Sequence, residues 1–85
     1  MKKKEVVINW RAGLHSRPAS ELVQLANKFK SKISIIHGDL EVDAKSILSV
    51  VTLGAGYKTN LIILAEGEDE VEALQKIVEL FEKEI

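Results

Sequence analysis

Apolar positions along this chain change period several times, and each change marks an element. Val6, Ile8 and Trp10 alternate with their neighbours and predict a strand over residues 5–10. Beyond a glycine turn, Ala19, Leu22, Val23, Ala26 and Phe29 recur at helical spacing, with Ser20, Glu21, Gln24 and Asn27 on the opposite face. Lys30-Ser31-Lys32 closes that helix, and Ile33 to Ile36 form a second strand. His37-Gly38-Asp39 is a hairpin signal that returns the chain through Leu40 to Asp43. Ser46 as N-cap and Gly54 as stop frame a short helix of about two turns. Asn60 to Ala65 is apolar on both faces, which predicts a central strand lying under a helix. Asp69, with Glu72 further on, is close to a capping box and opens a last helix. That helix gathers Leu74, Ile77, Val78 and Phe81 on its inner face.

The predicted order is β-α-β-β-α-β-α. Both long helices have one apolar face and must cover the same side of the sheet. The expected fold is therefore α+β, an open-faced β-sandwich with a four-stranded antiparallel sheet and helices on one face. Residues 1–85 show no linker and no internal repeat, so a single domain is expected. The short helix carries more apolar residues than a narrow stripe can bury. Ile47 and Leu48 are expected to be its most exposed positions, in a surface suited to docking a partner.

Composition narrows the function classes. There is no cysteine, which excludes disulfides and thiolate metal sites. A net charge of -1 argues against nucleic-acid binding driven by overall charge, and Lys2-Lys3-Lys4 is too short to reverse that. Residues 46–57, the longest uncharged stretch, are too short to cross a bilayer. A cytoplasmic protein with no membrane insertion, no metal and no cofactor is expected. His37 has no carboxylate or second histidine spaced to make it a ligand. Gly54 to Lys58 is a loop without the lysine–hydroxyl ending of a phosphate-binding loop. Trp10 is expected to be partly buried at the end of the sheet.

The chemistry concentrates in Gly13-Leu14-His15-Ser16-Arg17-Pro18-Ala19-Ser20, the passage from first strand to first helix. A helix start leaves amide donors unpaired and carries partial positive charge, so it favours an anion. Arg17 supplies a guanidinium matched to phosphate oxygens. Pro18 stiffens the first helical turn without sacrificing a needed donor. Ser16 is a plausible N-cap, with His15 or Arg17 as alternatives. This constellation reads as a phosphorylatable histidine; the plain alternative is a polar cap on a surface helix. Paired carboxylates and nucleophile–base sets are absent from the pattern, which argues against an enzyme with its own active site.

These residues carry a family resemblance over nearly the whole length. The run Gly13 to Ala19 resembles the phosphorylation motif of HPr, the histidine-containing phosphocarrier family of the phosphoenolpyruvate-dependent sugar phosphotransferase system. Lys45-Ser46-Ile47, followed by Thr52-Leu53-Gly54, resembles that family's regulatory serine site. The resemblance implies that His15 accepts a phosphoryl group from enzyme I and passes it to the A domains of sugar-specific enzymes II. It implies that Arg17 and the Ser16 amide stabilise the phosphate. Ser46 would be a target of HPr kinase/phosphorylase, and the Ser46-phosphorylated form would bind a catabolite-control transcription regulator. The implied docking surface comprises Ser20, Gln24, Ile47, Leu48, Val51, Thr52 and Leu53, on a monomer. The chain departs from the family at Ser16, usually alanine, at Ser49, usually glycine, and at Leu48 and Val51, commonly methionine. Two other readings are a specialised carrier in a nitrogen-type or dihydroxyacetone phosphotransfer chain, and a non-phosphorylated α/β interaction module.

Overall fold

The computed structural model describes residues 1–83. The elements run β1 (Lys2–Val7), α1 (Ser16–Ala26), β2 (Lys32–His37), β3 (Leu40–Asp43), α2 (Ile47–Thr52), β4 (Asn60–Glu66) and α3 (Glu70–Glu82). The strands form one sheet in the order β1-β4-β2-β3, and every pairing is antiparallel. The expected order and the open-faced α+β architecture are those observed.

Strand alternation decides which side chains meet the helices. Ile33 and Ile35 of β2, with Leu61, Ile63 and Ala65 of β4, are buried on one face. Leu22 and Ala26 of α1 and Ile77 and Phe81 of α3 join them in the same core. Each leucine, isoleucine or phenylalanine buried this fully contributes about 1.5–3 kcal/mol relative to exposure. The other face of the sheet stays open. Ile62 and Leu64 are only half-buried there, so β4 is central and lies under the helices on one side, as its apolar run and the shared helical face predict.

Three local expectations are corrected. The first strand begins at Lys2 and not at Glu5, because Lys2 to Val7 pair with Ala65 to Asn60 while Lys2, Lys3 and Lys4 stay exposed. Apolar periodicity reports burial, whereas backbone pairing is indifferent to solvated lysine side chains. Pairing continues past Val7 through the Ile8 amide, which donates to the Thr59 carbonyl at 3.0 Å. Trp10 then leaves the sheet and is buried to 3% exposure, more deeply than expected. It stacks on Phe81 with ring centroids 5.2 Å apart, and its Nε1 donates to the Lys83 carbonyl at 2.8 Å.

The second correction concerns the start of α1. His15, and not Ser16, is the N-cap residue, and its side chain makes no capping bond. At the other end α1 stops at Ala26, and the side-chain Nδ2 of Asn27 donates to the carbonyls of Val23 and Lys45. The third concerns α3. The Asp69 carboxylate does not cap its own helix and no capping box with Glu72 forms. It accepts instead from the Lys30 and Ser31 amides, each at 2.9 Å, and from the Ser31 hydroxyl. Glu70 does the reaching back, accepting from the Gly67 amide at 3.1 Å.

The short helix α2 has its expected frame. Ser46 is the N-cap and its hydroxyl accepts from the Ser49 amide at 3.3 Å. Gly54 follows the C-cap at φ +58°, the left-handed conformation that ends helices and favours glycine. No helix among the described residues is long and apolar enough to cross a membrane.

Candidate functional site

Strand β1 ends where a tight turn must deliver the chain to α1. The Gly13 amide donates to the Trp10 carbonyl at 2.7 Å, closing that turn. Gly13 sits at φ +75°, and a Cβ there would lie 2.8 Å from the Ala55 carbonyl oxygen and 2.9 Å from the Gly56 Cα. Only glycine meets both demands. The Leu14 amide then donates to the Ala55 carbonyl at 2.9 Å, and the Leu14 side chain is buried. Two anchors, Trp10 and Leu14, thus flank the turn, and the next residue, His15, is left exposed.

His15 has extended backbone geometry, φ -84° and ψ -174°, and its carbonyl accepts the first helical bond from the Ala19 amide at 3.0 Å. Its own amide donates to Gly13 at 2.9 Å. Pro18, buried beneath the first turn, has no N–H. The amides left unpaired at this helix start are those of Ser16 and Arg17, because the intrahelical ladder begins at Ala19. The first turn of α1 contains no acidic residue. Arg17 is exposed, and among the described residues it forms no ion pair. An imidazole, two free amides and an unneutralised guanidinium therefore share one exposed corner. That corner can hold an anion on the imidazole and leave it open to a partner.

The other expected residues distribute unevenly. Ser20 is half-buried and Gln24 exposed; both follow Arg17 along α1 at helical spacing. Leu48 is 75% exposed, and Ile47 and Val51 are 42% exposed, giving α2 an apolar outer face. Thr52 is exposed, with its hydroxyl donating to the Ser49 carbonyl at 2.6 Å. Leu53 is buried, so it leaves the expected docking surface and belongs to the core. Val50 turns fully inward with it. Helices α1 and α2 pack against each other. The C-terminus of α2 runs through Gly54 directly to Ala55, whose carbonyl holds Leu14, so the apolar face and the His15 corner share one scaffold.

Sequence reasoning treated residues 54–58 as a plain connection. In the structure they are the inner wall of the His15 turn. The readable signal was three small residues, Gly54-Ala55-Gly56, able to approach another backbone closely. A hollow of about 490 Å³ between β1 and α3, lined among others by Lys4, Leu74 and Val78, includes no residue of the His15 turn.

Comparison with known proteins finds similar chains among phosphocarrier proteins. Residues 2–83 match the family model described as the PTS HPr component phosphorylation site. The phosphocarrier protein HPr of Treponema pallidum (strain Nichols) is 46% identical over 72 residues, covering 85% of this chain and 82% of that protein. The solved histidine-containing phosphocarrier protein of Mycoplasma superposes with a TM-score of 0.90 at 37% identity, covering 93% of this chain and 90% of that one. An HPr dimer from Thermoanaerobacter tengcongensis gives a TM-score of 0.77 at 40% identity, covering 96% and 94%.

Proposed function

The chain belongs to the HPr family of phosphocarrier proteins of the phosphotransferase system, and from that premise we propose that it relays phosphoryl groups through His15 from enzyme I to the A domains of sugar-specific enzymes II. The observation that carries this reading is the exposed His15 at the N-cap of α1, beside the free amides of Ser16 and Arg17.

The chemistry is a displacement at phosphorus. The Nδ1 lone pair of a neutral imidazole attacks the donor's phosphoryl group; a new N–P bond forms, and the donor's bond to phosphorus breaks with its electron pair. Histidine side chains, with a reference pKa of about 6.5, are mostly neutral near pH 7. The phosphoryl oxygens then face the Ser16 and Arg17 amides and the Arg17 guanidinium, which stabilise the dianion. An exposed corner keeps that stabilisation modest, so the next acceptor can take the group. In-line positioning and charge neutralisation suffice for such transfer, and the partner completes the site. The protein acts as a stoichiometric carrier, a single cytoplasmic domain without a cofactor of its own.

Ser20 and Gln24 of α1, with Ile47, Leu48, Val51 and Thr52 of α2, form the surface on which partners dock. Ser46, at the N-cap of α2 next to Ile47 and Leu48, is the regulatory position. A kinase of the HPr kinase/phosphorylase type would place a phosphate there, and a catabolite-control regulator would read it. The carrier works as a monomer in this reading; sedimentation of the purified chain measures this directly, since a relative has been solved as a dimer.

Incubation with phosphoenolpyruvate and purified enzyme I, followed by phosphate mapping, tests the relay. Acid-labile label on His15 is expected. No label, or label confined to another residue, removes the proposal.

A further inference from the structure

Beyond His15 and α2, three residues stand together at the same end of the molecule without a role in the relay as described. We propose that Arg11, Tyr57 and Lys58 form a second docking element for the phosphoryl donor, fitted to an acidic rim on that protein. The inference rests on the carrier reading above and names a recognition device for it. Residues 54–58 are held at two points: the Leu14 amide, next to His15, donates to the Ala55 carbonyl at 2.9 Å, and the Lys58 amide donates to the Ile8 carbonyl, just past β1, at 2.7 Å. The Arg11 guanidinium lies 5.8 Å from the Tyr57 ring centroid and the Lys58 ammonium 5.6 Å from it, both within cation–π reach. Tyr57 is 44% exposed. Among the described residues neither Arg11 nor Lys58 forms an ion pair. Two like charges are therefore gathered on one exposed ring and left unneutralised, on a chain whose net charge is -1.

Lys58 adds a second observation. Its φ of +67° lies in the left-handed region, and it is the only non-glycine residue there among those described. Glycine would take that conformation without strain. A long cationic side chain is held where the backbone disfavours any side chain, which points to a use outside the fold. A positive rim beside the transfer site speeds encounter with an acidic partner and sets its orientation.

The test is enzyme I's kcat/KM for the chain, read as His15 labelling from phosphoenolpyruvate at low and at high salt. Arg11→Glu/Lys58→Glu should lower kcat/KM about tenfold at low salt with kcat unchanged, and the gap should close at high salt, where surface charge is screened. Lys58→Gly should lower kcat/KM while leaving the thermal midpoint equal or higher. Wild-type rates in the double variant, a loss that persists at high salt, or a lower midpoint for Lys58→Gly would each overturn the proposal. An unlabelled wild-type chain fails the relay itself, whereas a labelled wild type with indifferent variants fails this inference alone.

Discussion

His15 and Gly13 show how differently single positions can matter. His15 is exposed and its side chain makes no capping bond, so His15→Ala should leave the denaturant midpoint within about 0.5 kcal/mol of wild type. The same change should abolish acid-labile labelling by enzyme I, and full labelling of that variant would end the carrier reading. Gly13→Ala is the opposite case. The new Cβ would sit 2.8 Å from the Ala55 oxygen at a φ of +75°, so urea unfolding should show a loss of about 1–3 kcal/mol. Labelling should slow as well, because the turn that presents His15 rests on this contact.

At the scale of elements, helix starts are where the chain spends its polar side chains, and each start uses them differently. Ser46 caps α2 from its own side chain. A carboxylate at that position suits a helix N-terminus, so Ser46→Asp should keep the fold by circular dichroism. It should also slow transfer from enzyme I several-fold by placing negative charge beside Ile47 and Leu48; equal rates would remove the regulatory claim. Asp69 instead ties the start of α3 to the segment entering β2. The Ser31 hydroxyl, followed by the Lys30 amide, lowers its carboxyl from 3.8 to about 2. A carboxyl depressed by folding stabilises fully above its unfolded pKa and loses that contribution as pH falls toward the folded value. The clasp should therefore weaken between about pH 4 and pH 2. Urea midpoints of wild type and Asp69→Asn should differ at neutral pH and converge across that window; a constant difference would show that the charge on Asp69 is irrelevant.

For the molecule as a whole, stability rests on closing the helical layer over one face of the sheet. Phe81 is 1% exposed and stacks on Trp10, joining the end of α3 to the turn before His15. Phe81→Ala should cost about 3–5 kcal/mol, a large share of a small domain's stability. Trp10 is the only tryptophan, so its fluorescence reports the loss in a urea titration. The sequence alone determined the element order, the helical faces and the candidate histidine, because periodicity, glycine stops and a proline-stiffened helix start are local properties of the chain. Local rules also placed Ser46 and the exposed Leu48 correctly. They failed where a partner distant in sequence decides the outcome. The lysines of β1 join the sheet because β4 offers an edge, Asp69 abandons its own helix for Ser31, and Leu53 turns inward beside Val50. Only the tertiary structure could bring residues 54–58 against Gly13 and set Arg11 and Lys58 on one ring, since burial and through-space charge depend on which surfaces meet after the chain has folded.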